Sequence, residues 1–142
     1  MRVALASGLA ALGLACPALA DPCKAIPDRG PAPKILSPGK IISGSVVYVG
    51  DGDSLCVDIG KVQELENNWV EVRLADFYAP ELHEPGGKDA KATLERIAKG
   101  RRVECVAEHR SFDRVVARCN LQSHRLGDLM RAAAAPEGGN GR

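Results

Sequence analysis

The sequence predicts a mainly β fold with some helix. It is a closed five-stranded Greek-key barrel with one helix between strands 3 and 4 and a short C-terminal helix. Three observations predict it. Five short segments alternate apolar and polar residues with the period of two that a half-buried strand needs. One stretch between the third and fourth of them repeats apolar residues at helical spacing. The length, 142 residues, allows one modest domain. A hydrophobic share of 45% with 26% charged residues fits a folded chain and argues against global disorder.

The elements follow in order. Residues 1–20, MRVALASGLAALGLACPALA, place one cation, Arg2, before a short apolar stretch. Ala18-Leu19-Ala20 then supplies small residues at both recognition positions of a cut. This is a secretory signal-peptide pattern, with cleavage expected after Ala20, and it implies a secreted or periplasmic protein. A lipoprotein reading on Cys16 is weaker, because Gly13 stands where a bulky aliphatic is wanted. Residues 21–40 carry five prolines and read as an extended leader. Residues 41–134 form the domain. Ile42–Val49 is β-rich, and Gly50-Asp51-Gly52-Asp53 is a tight turn. Leu55, Val57 and Ile59 alternate with polar neighbours, as do Val70, Val72 and Leu74, so Arg73 points away from the face that buries the valines. Ala90, Leu94, Ile97 and Ala98 give the helix, and Gly100 stops it. Strands follow around Val103–Ala107 and Val115–Leu121, then a short helix within 125–134. Residues 135–142 are expected to be a disordered tail. Five strands with an interposed helix suit a barrel of the OB type. An open α+β sheet fits the same periodicity.

Export permits disulfides. Loss of Cys16 with the signal leaves Cys23, Cys56, Cys105 and Cys119. If the last two strands form a hairpin, Cys105 faces Cys119, and Cys23 is left for Cys56. A four-thiolate metal site is the rival, but no C-x2-C spacing occurs.

The mature chain carries 18 cations and 18 anions, which excludes a polycation that coats nucleic acid; any anion site must be local. No apolar run reaches the roughly 20 residues of a membrane span. A monomer without a transmembrane segment is expected. Charge is uneven, however. Lys88 to Arg118 holds nine cations and five anions, and Asp21 to Gly87 holds six cations and eleven anions. Such polarity suits a site that handles a metal ion and a phosphate together, although an ordinary solvated surface shows it too.

Four fragments stand in order: Asp51-Gly52-Asp53-Ser54 in a turn, Arg73 to Glu81 (RLADFYAPE), Pro85-Gly86-Gly87-Lys88 opening the helix, and Phe112-Asp113-Arg114 opening the last strand. Over about residues 41 to 132 they resemble the thermonuclease (staphylococcal nuclease-like) family, an OB-fold of calcium-dependent phosphodiesterases acting on DNA and RNA. The resemblance implies that Asp53 binds Ca²⁺ with Asp51 behind it. It implies that Arg73 and Arg114 grip the phosphate and that Glu81 is the general base. Phe112 stands at the family's tyrosine before the last arginine. The chemistry suits these residue types. Phosphodiester hydrolysis builds negative charge that two planar guanidiniums neutralise better than ammonium groups. A carboxylate can orient or deprotonate water.

The pattern also departs from the family. Tyr78 stands where the second calcium-binding aspartate is expected, and its ring is suited to stacking on a base. Asp76 lies two residues earlier, about 6.6 Å along a strand. Asp113 replaces a glycine and is within reach of pairing with Arg114. Only one short helix follows the last strand. His83, His109 and His124 are scattered and are expected in loops, and Trp69 in the core or at the rim. No Ser/His/Asp order and no phosphate-binding G-x-x-x-x-G-K-[ST] loop occurs. The expected function is therefore an exported, metal-dependent nuclease-like hydrolase. The rival is a catalytically inactive OB module that binds oligonucleotide or protein.

Overall fold

The computed structural model describes Cys23, Ile26 and residues 30–65 and 68–139. The signal segment lies outside the described residues. The elements are β1 (Ile41–Val49), β2 (Ser54–Asp58), β3 (Trp69–Leu74), α1 (Gly87–Ala98), β4 (Arg102–Ser111), β5 (Arg114–Leu121), β6 (His124–Arg125) and α2 (Leu126–Ala132). The sheet runs β3-β2-β1-β4-β5-β6, and β3 also pairs with β5. That last pairing is parallel, while all others are antiparallel. Five strands thus close an OB-fold-like barrel, and the open-sheet alternative falls. The two-residue β6, an antiparallel extension of β5, was not anticipated from the pattern.

Alternation on the strands decides the core. Val70, Val72 and Leu74 of β3 point inward, as do Val103, Cys105 and Ala107 of β4 and Val115, Ala117, Cys119 and Leu121 of β5. α1 adds Ala90, Leu94 and Ala98, one stripe at helical spacing, all with no exposed surface. It ends where Gly100 takes φ 76°, the left-handed conformation that suits glycine. Gly44 is needed for a different reason: a Cβ there would strike the Asp58 carbonyl, so β1 crosses β2 too closely for a side chain.

Both disulfides form. Cys105 and Cys119 are direct partners across the β4–β5 hairpin, with Cα atoms 3.9 Å apart, and both lie inside the barrel. Cys23 joins Cys56 with Cα atoms 5.5 Å apart. Among the described residues no helix is long and apolar enough to cross a membrane.

Three expectations need correction. The leader is more than a tethered strand. Ile26 and Leu36 enter the core, a 3-10 turn forms at Lys34–Leu36, and Ile26 N–H donates to the Asp113 carbonyl. Arg110 reinforces this by donating to the carbonyls of Gly30 and Phe112. The tail is not free through residue 139: Ala135 is buried, Glu137 pairs with Arg131 at 2.6 Å, and Gly138 N–H donates to the Tyr78 carbonyl at 2.8 Å. Apolar and charge complementarity over these few residues was too local for periodicity to report. Third, His109 and His124 lie on strands, exposed, because each occupies an outward position. Trp69 opens β3 at the rim, half-buried.

The hairpin disulfide closes a short chain loop, with a sequence separation of 14. Replacing Cys105 and Cys119 together by alanine is expected to cost about 2–4 kcal/mol, read from the urea midpoint of unfolding. A loss under about 0.5 kcal/mol would show that the bond adds nothing to the barrel.

Candidate functional site

The turn between β1 and β2 is built by its own aspartate. Asp51 Oδ1 accepts from Asp53 N–H at 3.0 Å and from the Ser54 hydroxyl at 2.7 Å, an Asx turn that holds the backbone tightly. Asp53 follows with only 4% of its surface exposed. Its Oδ2 accepts from Ala79 N–H at 3.0 Å and lies 3.8 Å from Arg73 Nη2. Its carbonyl accepts from Leu74 N–H at 2.8 Å. Main chain and side chain of one residue therefore tie β2 to the end of β3 and to the loop beyond it. Burial pushes the Asp53 carboxyl up to about 6, and nearby Asp51 adds to that, against the pull of Ala79 N–H and Arg73 in the other direction.

The two arginines meet through strand register. Val72 is paired with Val115 and Arg73 with Val116 in the parallel β3–β5 ladder. Val72 and Val115 face the core. Arg73 and Arg114, each one residue off those positions, therefore share the outward face, one diagonal step apart. Both are half-buried. Arg114 does not pair with Asp113 among the described residues; the Asp113 backbone is engaged instead by Ile26. Arg73 carries its guanidinium 5.9 Å from the centre of the Tyr78 ring.

The loop after β3 holds Tyr78 and Glu81. It is folded by Glu84, whose carboxylate accepts from Glu81 N–H at 2.9 Å, while the Glu81 carbonyl accepts from Glu84 N–H at 2.8 Å. Glu81 is half-buried and Tyr78 is 41% exposed. The tail closes over the same loop, with Pro136 against Gly86 and Gly139 against Pro80. Asp53, Arg73 and Tyr78 are thus brought together, Arg114 shares their face of the barrel, and Glu81 stands on the same loop as Tyr78. Phe112 sits apart, at the tip of the β4–β5 hairpin with φ 55°, and is 77% exposed.

Sequence reasoning missed two residues that shape this loop. Arg131 of α2 donates to the Asp76 carbonyl and lies over the Phe77 ring at 5.7 Å. The Asp76 carboxylate packs against Gly127, where a Cβ would come within 2.8 Å of it. Asp76 does not replace the missing aspartate, because it faces α2 rather than Asp53. The Leu126-Gly127-Asp128 opening of α2 was the available signal: a glycine inside a helix marks a close approach.

Calcium wants six to eight oxygens at about 2.3–2.6 Å. Among the described residues no group of three or more His, Cys, Asp or Glu side chains is placed to hold a metal ion. Asp51 Oδ1 is turned into its own turn, Asp53 Oδ2 faces Arg73 and an amide, and residue 78 offers a phenol. This donor set does not fit calcium, so no chemical step is assigned to that ion. No family model and no curated protein matches the chain.

The folded Asp53 value lies above its ordinary 3.8, so the folded state holds this proton longer than the unfolded chain does. The stability tied to the group is present at low pH and falls as pH rises from 3.8 to about 6. Asp53→Asn keeps an acceptor for Ala79 N–H and removes that fall. It is expected to gain about 2–3 kcal/mol over wild type between pH 4 and pH 7.5, read by urea unfolding at both values. Parallel curves for the two proteins would refute this. Calcium at about 1 mM is expected to leave the Tm of the wild type unchanged. Differential scanning calorimetry reads that Tm, and a rise with calcium would show an ion held by the folded chain.

Proposed function

We propose that this chain is an exported, nuclease-like protein that engages nucleic-acid phosphodiesters. In this reading Arg73 and Arg114 bind the phosphate and Glu81 is the carboxylate that activates water. One observation carries the reading: the β3–β5 register, which sets both guanidiniums on one outward face of the barrel. Two half-buried guanidiniums a diagonal apart offer paired, charge-assisted hydrogen bonds to non-bridging phosphate oxygens. Charge that builds on those oxygens during displacement is met by groups already in place. Asp53 acts indirectly, since its carboxylate lies against Arg73 and steadies the guanidinium. Glu81, half-buried on the loop after β3, is the carboxylate this reading assigns to orienting or deprotonating water. The signal-peptide pattern and two disulfides favour an oxidising compartment, periplasmic or extracellular.

The second reading is binding without cleavage. Tyr78 favours it, because the phenol stands in the resemblance where a metal-binding aspartate is expected. Both readings share the arginines, and they part on turnover.

The deciding experiment incubates the mature chain with single-stranded DNA in Ca²⁺, Mg²⁺ or Mn²⁺, and in chelator. Cleavage that falls about 100-fold or more in Arg73→Ala and in Arg114→Ala is expected for the hydrolase. Binding weakened by both variants, with no cleavage in any buffer, selects the binding module. Absence of both binding and cleavage removes the proposal.

A further inference from the structure

We propose that the turn between α1 and β4 is an electrostatic docking surface for an anionic lipid bilayer, carried by Arg96, Lys99, Arg101 and Arg102. The inference goes beyond the phosphodiester reading and stands without it.

The stretch from Lys88 to Arg118 holds more cations than anions, and the fold engages several of them elsewhere. Lys91 lies over the Tyr48 ring at 5.2 Å, Arg110 donates to the carbonyls of Gly30 and Phe112, and Arg118 pairs with Glu108 at 2.8 Å. Arg96, Lys99, Arg101 and Arg102 are left, close together in sequence, and each is exposed. Among the described residues none of them is in an ion pair. Arg101 Nη1 donates to the Ile97 carbonyl at 3.4 Å. A helix C-terminus attracts cations, but its dipole amounts to roughly half an elementary charge. These full charges far exceed what the end of α1 offsets.

The turn that carries them is rigid. Gly100 N–H donates to the Val46 carbonyl at 2.8 Å, Val46 N–H donates to the Arg101 carbonyl at 2.9 Å, and Arg101 N–H donates to the Ala98 carbonyl at 3.0 Å. Gly100, with φ 76°, sits at the apex, and a Cβ there would meet nothing within 4 Å. The main chain is therefore satisfied by the protein itself, and what the turn offers outward is charge on a projecting apex. That shape suits a plane of anionic headgroups. An extended peptide would draw on free main-chain groups at a strand edge.

Position separates this surface from the phosphate site. Arg102 opens β4, Ser111 ends it, and Ser111 is the partner of Arg114 across the hairpin. Nine steps along a strand span about 30 Å, so the two basic features stand at opposite ends of β4. Glu104, exposed on the same side of β4 as Arg102, interrupts any basic track between them. A nucleic-acid strand is thus poorly served by the intervening surface. The mature chain has balanced charge, so attraction to an anionic plane must come from this local excess. Docking by this end would leave the face of Arg73 and Arg114 turned away from the bilayer.

The test is co-sedimentation of the mature chain with vesicles of phosphatidylcholine, or of phosphatidylcholine with about 30% phosphatidylglycerol. Binding is expected to the anionic vesicles alone and is expected to vanish in about 0.5 M salt, where charges are screened within a few ångström. Arg101→Gln with Arg102→Gln is expected to weaken it about 25-fold, roughly fivefold for each cation. Arg96→Gln with Lys99→Gln should do the same. Lys34→Gln with Lys40→Gln removes equal charge from exposed leader positions and is expected to leave both binding and Tm unchanged. Equal binding of the wild type to both vesicle types overturns the proposal. So does an equal loss in the leader variant, since attraction would then follow net charge. Anisotropy with labelled oligothymidylate in chelator tests the other polyanion. If Arg101→Gln with Arg102→Gln weakens that probe as much as the vesicles, the turn is a nucleic-acid contact and the lipid assignment falls. Arg73→Ala is expected to leave vesicle binding intact, and a loss there would move the lipid contact to the other end of the barrel and refute this one.

Discussion

The short parallel ladder between β3 and β5 is the constraint on which the rest depends. Without it, the order β3-β2-β1-β4-β5 is an open sheet with two edges. With it, Val72, Leu74, Val115 and Ala117 turn into one sealed core and the outward positions beside them are fixed in register. The same three residue pairs therefore decide both stability and chemistry. A slip of one residue would send Arg73 inward and Val72 outward, at a cost that no surface interaction offsets.

Asp53 shows how the barrel end carries a cost for its geometry. A carboxylate with almost no exposed surface loses hydration and regains part of it from one amide and one guanidinium at 3.8 Å. Its raised pKa is the measure of that imbalance. Local features that lower stability while holding a charged group in place are common at functional sites. Here the group held is Arg73, and the loop held with it presents Tyr78. The aspartate that the family resemblance assigns to a metal instead joins strand end, arginine and loop into one unit.

A barrel of this size buries proportionally little surface, and the chain compensates at both ends. The leader is clamped by the Cys23–Cys56 bond, by Ile26 and Leu36 in the core, and by Arg110 bridging Gly30 and the hairpin tip. The tail is clamped by Glu137 on Arg131 and by Gly138 on Tyr78. Arg131 links the tail to the main chain at Asp76, so α2 supports the loop beyond β3. A cavity of about 430 Å³ beside α2 is lined by His124, Arg125 and Asp128 and so carries mixed charge.

The sequence alone determined what rests on local periodicity and on residue type. Strands β1 to β5, the α1 stripe ending at Gly100, and the outward placement of Arg73 were legible, because alternation and helical spacing are written in consecutive residues. The Cys105–Cys119 pair was legible once a hairpin was assumed. What only the tertiary structure decided was everything that joins distant segments. The β3–β5 closure, the burial of Ile26 and Leu36, the fold-back of residues 135–139 and the packing of Gly127 on Asp76 depend on which surfaces meet in three dimensions. The same holds for Asp53: the family resemblance implied a metal ligand, and its buried contacts with Ala79 and Arg73 tie it instead to the loop and the arginine. A carboxylate's role is set by the charges and amides that surround it, and those come from segments about 20 or more residues away that no local pattern describes.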